Sequence, residues 1–236
     1  MKSFIRCVWG SRDLHKEDHF AKNFSALQNE YITVSKNPYM RKDFIVYTLG
    51  EDNHKHLEDL GFNSFLVDKS NHLFDPNRRI WLHKVYLMEA AMRDFDEIIY
   101  LDWDTQPFKP LPPTLWDDLR KKDSFQAPLF KYCSVKMPHR DNPKNERFAA
   151  RVLPSGAFVY ISDKSIPTKL MTYEKQEGLR DRWLDEIYYG AYTDEIYGGW
   201  KSIQFYRDHF EPECCNIRRG LFNKESAIFG HPKRRV

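Results

Sequence analysis

Two aspartates separated by one residue, Asp102 and Asp104, directly follow the apolar run at residues 98–101. β-Branched and aromatic residues in this run predict a buried strand that ends where the acids begin. Side chains two residues apart in extended backbone point the same way, so both carboxylates can reach one point. Such a strand end suits Mg²⁺ or Mn²⁺ holding nucleotide phosphates, because these cations prefer oxygen ligands. Acidic pairs are also common as solvated turn residues, and Asp-x-Asp alone leaves that alternative open.

Apolar side chains recur at helical spacing just before this strand and predict a helix over residues 80–92. They are Trp81, Val85, Met88, Met92 and Phe95. Two basic residues, Arg79 and Lys84, lie at the start of this helix. Lys84 falls beside the apolar stripe, so its ammonium either faces water or reaches along the sheet edge toward a diphosphate.

Short apolar runs alternate with helical patterns in the first hundred residues. Strands are expected over residues 4–9, 44–49 and 65–67, and helices over residues 15–28 and 53–60. This alternation predicts an α/β fold with a mostly parallel central sheet flanked by helices. Farther along, we expect a helical turn at residues 115–119, a loop at 131–145 and a helix at 165–176.

The succession of helix, short turn, apolar strand and Asp-x-Asp resembles the centre of GT-A-fold glycosyltransferases. It is most similar to family 8-like, glycogenin-like and bacterial or viral sugar transferases, and the similarity is dense over residues 79–112. The resemblance implies a single GT-A domain, with a Rossmann-like nucleotide-sugar half at residues 1–112 and an acceptor half at residues 113–236. It also implies metal-dependent transfer from a nucleotide-diphosphate sugar, with UDP favoured and GDP open, to a glycan or other hydroxyl acceptor. The implied cofactor is Mn²⁺ or Mg²⁺.

A late histidine completes the metal set that the resemblance implies. Several GT-A families, family 8 among them, return a late His to the metal and a nearby Lys to the diphosphate. His231 and Lys233 take these positions here, although the longer pattern His-x-x-Gly-x-x-Lys-Pro-Trp is absent. Mn²⁺ accepts imidazole alongside carboxylates, so Asp102, Asp104 and His231 form a coherent set. A basic solvated tail is the alternative for Lys233.

Two loops are expected to contact the donor. The first strand ends at Trp9 and Gly10, and the loop after the first strand of a nucleotide-binding sheet lies near the ligand, although an ordinary turn explains the pair equally well. Ser155 and Gly156 resemble the Asn-Ser-Gly turn against the donor sugar in GT-A transferases, with Pro154 in place of Asn; a tight turn before a core strand is the alternative. The expected donor-binding residues are Trp9, Gly10, Arg79, Lys84, Asp102, Trp103, Asp104, Ser155, Gly156 and Lys233.

Adjacent acids in the second half, Asp185 and Glu186, resemble the pair that sits below the transferred sugar in related enzymes. In an inverting enzyme one of them would deprotonate the acceptor hydroxyl. In a retaining enzyme a carboxylate there would orient the sugar or stabilise positive charge. The sequence also leaves open a plain pair of helix-surface acids. Aromatic residues follow closely and form either a wall for the acceptor sugar or part of the core: Tyr188, Tyr189, Tyr192, Tyr197 and Trp200.

Composition limits the possible classes of protein. With 41% hydrophobic and 30% charged residues, the 236-residue chain is expected to be globular. Its net charge of +3 is too small to indicate a nucleic-acid partner. Neither an 18-residue apolar run nor a signal-peptide hydrophobic region is present, so we expect no membrane-spanning segment and a cytoplasmic protein or a domain of a larger soluble polypeptide. The four cysteines lack Cys-x-x-Cys spacing and indicate neither a zinc site nor a disulfide framework.

Two alternatives from other classes share the Asp-x-Asp feature. A haloacid-dehalogenase-like phosphatase also has these acids after an apolar strand, with the first as nucleophile. That family usually carries the motif near the N-terminus with Thr or Val two places after the second Asp, whereas Thr105 follows Asp104 immediately and residue 106 is Gln. In a non-catalytic nucleotide- or sugar-binding module the acids would merely end a strand.

Overall fold

The computed structural model describes residues 1–9, 44–70, 74, 80–103, 105–131, 152–154, 156–177, 189 and 228–230. The first half contains β1 (Lys2–Val8), β2 (Ile45–Thr48), α1 (Glu51–Asp59), β3 (Asn63–Leu66), α2 (Ile80–Asp94) and β4 (Glu97–Leu101). β5 (Gln106–Pro107) ends the first half. The second half contains α3 (Leu115–Arg120), β6 (Phe125–Gln126), β7 (Leu129–Lys131), β8 (Val152–Pro154), β9 (Phe158–Ile161), α4 (Ser165–Glu177) and β10 (Phe229–Gly230). These elements confirm the expected strands and helices to within about two residues at most ends. The helix expected over residues 15–28, and most of the loop expected over 131–145, lie outside the described residues.

Six strands form the central sheet in the order β3-β2-β1-β4-β9-β6. β3, β2, β1 and β4 are parallel neighbours, which confirms the mostly parallel sheet expected from the alternation. β9 runs antiparallel to both β4 and β6. Two antiparallel pairs lie outside this sheet, β5 with β10 and β7 with β8. The strand order reverses at β1, because β2 lies on one side of it and β4 on the other.

Both faces of the central sheet are covered. Ile98 and Tyr100 of β4 pack in one core cluster with residues of α2 and α4, which we call the α2/α4 layer. Ile99 and Leu101 pack in a second cluster with residues of α1 and α3, which we call the α1/α3 layer. Adjacent residues of a strand point to opposite faces, so a strand buried on both faces requires apolar residues throughout. This requirement explains why residues 98–101 contain no charged residue.

α2 lies against the sheet through the stripe that its sequence predicts. Val85, Met88 and Met92 are all buried in the α2/α4 layer. The hydroxyl of Tyr86 donates a hydrogen bond to the backbone oxygen of Asp68 at 2.5 Å, which holds the preceding segment to the helix. α2 has 15 residues, and none of the helices in the described ranges is long and apolar enough to cross a bilayer.

The amino end of β4 is held by a polar cluster around Glu97. Arg120 of α3 lies 2.6 Å from Glu97 Oε1, and the hydroxyl of Tyr160 in β9 donates to Glu97 Oε2 at 2.9 Å. Burial raises the pKa of Tyr160 to about 12, so its hydroxyl remains a donor across the neutral pH range. These contacts fix the end of β4 that lies opposite the Asp-x-Asp motif.

The two covered faces lead to a test with two adjacent residues. We expect Ile98→Ala and Ile99→Ala each to lower the free energy of unfolding by about 2–5 kcal/mol, because both side chains are fully buried in different layers. Urea unfolding followed by circular dichroism measures both. Leu66→Ala is the control, with an expected loss under about 1 kcal/mol since Leu66 is 42% exposed on β3. A near-neutral result at either isoleucine would show that only one face is covered.

Candidate functional site

The candidate site lies at the carboxyl ends of β1 and β4. These strands are parallel neighbours, so Trp9 after β1 and Asp102 after β4 leave the sheet at the same edge. The strand order reverses at β1, and open α/β sheets bind ligands in the crevice beyond the strand ends at such a reversal. Trp9 and Asp102 therefore both lie at the edge of the sheet where a ligand is expected.

A tight turn follows β4. The amide of Thr105 donates a hydrogen bond to the backbone oxygen of Asp102 at 2.9 Å, which closes a four-residue reversal of the chain. The amide of Asp102 donates to the backbone oxygen of Ala157 at 2.9 Å. Gly156, directly before Ala157, is buried beside this turn. The structure thus brings Gly156 and Asp102 together, and the donor-binding role of this turn stays a prediction.

The side chain of Asp102 is oriented by its own strand. The hydroxyl of Tyr100 donates to Asp102 Oδ1 at 2.8 Å, a contact that the two-residue spacing on one strand face makes possible. Asp102 itself is partly exposed, whereas Tyr100 is fully buried. One carboxylate oxygen is therefore fixed by a neutral donor while the residue remains accessible from the crevice.

Lys84 does not face water. It is only 3% exposed, and its Nζ lies 5.1 Å from the centroid of the Tyr100 ring. Of the two orientations that the sequence allows, the structure therefore has the inward one. The hydroxyl of the same Tyr100 donates to Asp102, so the ammonium and the carboxylate both contact this side chain. Lys84 accordingly supplies a buried positive charge beneath the carboxyl edge of the sheet.

Arg6 is a residue of the site that sequence reasoning missed. It lies within β1, is 1% exposed, and donates from Nη1 to the backbone oxygen of Asp102 and from Nη2 to that of Thr105 at 2.8 Å. Its guanidinium carbon also lies 5.6 Å from the centroid of the Phe44 ring. A charged residue in the centre of an apolar strand was the available signal, because such a residue needs compensating contacts when buried.

Two tryptophans contact each other at the carboxyl ends of β1 and β4. The ring centroids of Trp9 and Trp103 are 5.3 Å apart with an interplanar angle of 49°. Trp9 is fully buried, whereas Trp103 is partly exposed. Their contact holds the residue after β1 against the turn after β4. The exposed part of Trp103 leaves aromatic surface for a ligand.

Comparison with known proteins shows the fold. The structure of galactosyltransferase LgtC in complex with donor and acceptor sugar analogs matches at 15% identity and a TM-score of 0.50, over 98% of this chain and 86% of that chain. The chain has the GT-A fold. Mouse xyloside xylosyltransferase 1 in apo form matches at 11% identity and 0.49, over 98% and 97% of the two chains. A glycosyltransferase involved in glycosylation of the major capsid of PBCV-1 matches at 11% identity and 0.41, over 97% and 93%. The sequence itself matches no protein-family model and no curated protein.

Within this GT-A fold, the described part of the chain brings together five of the expected donor-binding residues. They are Trp9, Lys84, Asp102, Trp103 and Gly156. The other expected site residues lie outside the described residues: Gly10, Arg79, Asp104, Ser155, Asp185, Glu186, His231 and Lys233. Their roles, and membership of family 8, stay predictions. Tyr189 is buried in the α2/α4 layer and packs on Phe125 with the rings tilted by 52°, so this member of the expected aromatic wall belongs to the core.

The metal set spans described and undescribed residues. In the described ranges, no group of three or more His, Cys, Asp or Glu side chains is placed to hold a metal ion. The expected set has one described member, Asp102, while Asp104 and His231 lie outside. Phe229 and Gly230 of β10 pair with Pro107 and Gln106 of β5. The chain segment that leads into His231 is thus hydrogen-bonded to the segment that follows Asp104 and Thr105.

Cys7 offers a chemical probe of the protein interior under the site. Burial raises the pKa of its thiol, and the thiolate is the reactive form, so we expect it to resist alkylation in the folded protein. Iodoacetamide labelling at pH 8 with peptide mapping should modify Cys7 at least about 10³-fold more slowly than in urea, because folded-to-unfolded ratios of small domains begin near that value. The unfolded chain is the internal control. Labelling at comparable rates in both states would contradict the burial of β1.

Proposed function

We propose that this protein is a glycosyltransferase that moves a sugar from a nucleotide-diphosphate sugar, with UDP favoured, to a hydroxyl acceptor such as a glycan. The observation that carries the proposal is the position of Asp102 in a GT-A fold, at the crevice where the strand order reverses. A partly exposed carboxylate, a buried ammonium and an aromatic surface converge there. These groups suit, respectively, a cation, a diphosphate and a base or sugar ring.

We further propose that Asp102, Asp104 and His231 bind Mn²⁺ or Mg²⁺. The β5–β10 pairing supports this set, because Gly230 lies opposite Gln106 and antiparallel strands run in opposite directions. In the sequence His231 is one residue from Gly230 and Asp104 is two residues from Gln106, and successive Cα atoms are only about 3.8 Å apart. Two carboxylates and an imidazole form a donor set that Mn²⁺ accepts.

The chemistry of the reaction follows from the charges that the chain provides. When bound, the cation would supply Lewis-acid stabilisation of the negative charge that develops on the departing diphosphate. The hydroxyl of Tyr100 holds Asp102 in one orientation, so the carboxylate is in place before the ligands arrive. Lys84 adds positive charge from a buried position, where water screens it little. Trp9 and Trp103 pack against each other beside Asp102, and the partly exposed Trp103 would offer an aromatic surface to the donor.

We propose that the remaining residues keep the roles that the resemblance implies. Arg79 and Lys233 would contact the diphosphate, and Gly10 and Ser155 would let the backbone approach the donor. Asp185 and Glu186 would act at the acceptor hydroxyl in an inverting reaction, or on the sugar in a retaining one. The resemblance alone supports the roles of these six residues: Gly10, Arg79, Ser155, Asp185, Glu186 and Lys233.

The position of the acids favours transfer over the phosphatase alternative. A haloacid-dehalogenase-like enzyme usually carries its Asp-x-Asp near the N-terminus, whereas Asp102 here follows β4 and contacts a turn before β9. The GT-A fold is the arrangement expected for the transferase. Activity distinguishes the remaining alternative, because a non-catalytic module would bind the donor without turnover.

Calorimetric titration of UDP tests the proposed function. We expect the parent chain to bind UDP with Mn²⁺ present, and to bind it at least about 100-fold more weakly in EDTA, because a cation held by the proposed ligands would supply the positive charge that attracts the diphosphate. Asp102→Asn and Asp104→Asn should each lose this metal-dependent binding. Asp59→Asn, an exposed acid at the end of α1, is the matched control and should bind as the parent does.

The outcomes of this titration separate the alternatives. GDP in place of UDP defines the nucleotide preference. Absence of UDP and GDP binding with any divalent cation would contradict the transferase proposal. Phosphate release from a phosphomonoester would then favour the phosphatase, whereas UDP-sugar binding without hydrolysis or transfer would favour the non-catalytic module.

Metal binding without nucleotide tests His231 separately. Electron paramagnetic resonance of free Mn²⁺ gives the dissociation constant, and we expect His231→Ala to raise it by about 10–100-fold, since one of three protein ligands is lost. His56→Ala, an exposed histidine on α1, is the control and should leave the constant unchanged. An unchanged constant in His231→Ala would remove this residue from the metal set and leave the two aspartates.

A further inference from the structure

Arg6 lies where a strand residue would ordinarily be apolar. It belongs to β1, between Ile5 and Cys7, and both of these neighbours are buried in the α2/α4 layer. The side chain of Arg6 points to the other face of the sheet and is itself 1% exposed. A buried guanidinium is unfavourable unless its donors are satisfied, so the contacts that satisfy it show what the fold gains from it.

The guanidinium of Arg6 donates hydrogen bonds to the two ends of one turn. Nη1 donates to the backbone oxygen of Asp102, and Nη2 donates to the backbone oxygen of Thr105 at 2.8 Å. The same Asp102 oxygen accepts the amide of Thr105 at 2.9 Å. Two hydrogen bonds therefore join β1 to both ends of the segment that contains the Asp-x-Asp motif, and a third joins these two ends to each other.

We propose that Arg6 is a positioning residue that holds the Asp102–Thr105 turn in its ligand-binding geometry. The inference rests on the proposed function, because it assigns Arg6 to the metal and donor site of the same reaction. Asp102 forms one end of this turn and Thr105 the other, so the two contacts restrict the backbone that carries the Asp102 carboxylate. A carboxylate restricted before binding loses less conformational entropy when the cation arrives.

Arginine is required for this role because it presents two donors in a planar fork. Its Nη1 and Nη2 reach two separate carbonyl oxygens at once, whereas a lysine ammonium is a single point on a flexible stem. The Phe44 ring beside the guanidinium further limits its position. The conservative change Arg6→Lys therefore keeps the positive charge and removes the simultaneous contact with both ends of the turn.

The experiment compares Arg6→Lys with the parent and with Ile5→Val, a mild change to the adjacent buried residue of β1. Hydrogen exchange read by NMR compares the amide of Thr105 with that of Leu49, which donates to the backbone oxygen of Val8 at 3.0 Å and reports general stability. We expect Arg6→Lys to speed exchange at Thr105 by at least about tenfold relative to Leu49. The Mn²⁺ dissociation constant should rise by about 10–100-fold. Ile5→Val should change neither ratio.

Each outcome is decisive. An unchanged Thr105-to-Leu49 exchange ratio in Arg6→Lys would overturn the positioning role. A changed ratio with unchanged Mn²⁺ and UDP binding would overturn its connection to the site. A parent that binds neither Mn²⁺ nor UDP would contradict the proposed function, and the exchange ratio would still report whether Arg6 holds the turn.

A measurement on the parent keeps the proposal testable if Arg6→Lys does not fold. In ¹⁵N-arginine-labelled protein, the Nη hydrogens of Arg6 should give separate, slowly exchanging signals, because hydrogen bonds to two carbonyl oxygens stop rotation of the guanidinium. Averaged Nη signals, as a freely rotating guanidinium gives, would overturn the proposal.

Discussion

The parallel pairing of β1 with β4 determines the geometry of the candidate site. It brings the carboxyl end of β1 beside the carboxyl end of β4. Arg6 can therefore contact Asp102, which lies 96 residues later in the chain. Packing on both faces fixes this pairing, because a shift in register by one residue would turn every core side chain to the wrong face. The candidate site at the ends of β1 and β4 therefore depends on two strands that are buried on both faces of the sheet.

Two buried cations, one on each face of this strand pair, connect the core to the site. Arg6 extends into the α1/α3 side and is satisfied by backbone oxygens of the turn, while Lys84 extends from α2 and lies over the ring of Tyr100. Buried charges need such compensation, and here the compensating groups are the strand and turn that present Asp102. Tyr100 also donates to Asp102. The groups that compensate the buried charges of Arg6 and Lys84 are therefore the same groups that orient the Asp102 carboxylate.

The local sequence pattern predicts the elements in which apolar residues recur because they are buried. The stripe of α2 and the apolar run of β4 were predictable because helical spacing and continuous burial leave a clear signal, and Asp102 followed from its place after that run. Arg6 was not predictable by the same reasoning, since its partners are backbone oxygens that any residue would present. The inward orientation of Lys84 likewise depended on the ring of Tyr100, which lies on a different element. The antiparallel direction of β9 has no signature in its four apolar residues.

The pairing of β5 with β10 is too short to be predicted from the sequence, and it precedes the proposed metal ligand His231 in the chain. β5 and β10 have two residues each, yet Phe229 is fully buried and packs edge-to-face on Phe158 of β9 with ring centroids 5.2 Å apart. The amide of Phe108 also donates to the backbone oxygen of Ile228 at 2.5 Å. Bringing a late residue back to an early strand closes a long loop, which costs conformational entropy. The core packing of Phe229 offsets this entropy cost. The free energy of cation binding by a ligand residue beyond β10 would therefore not be spent on closing the loop.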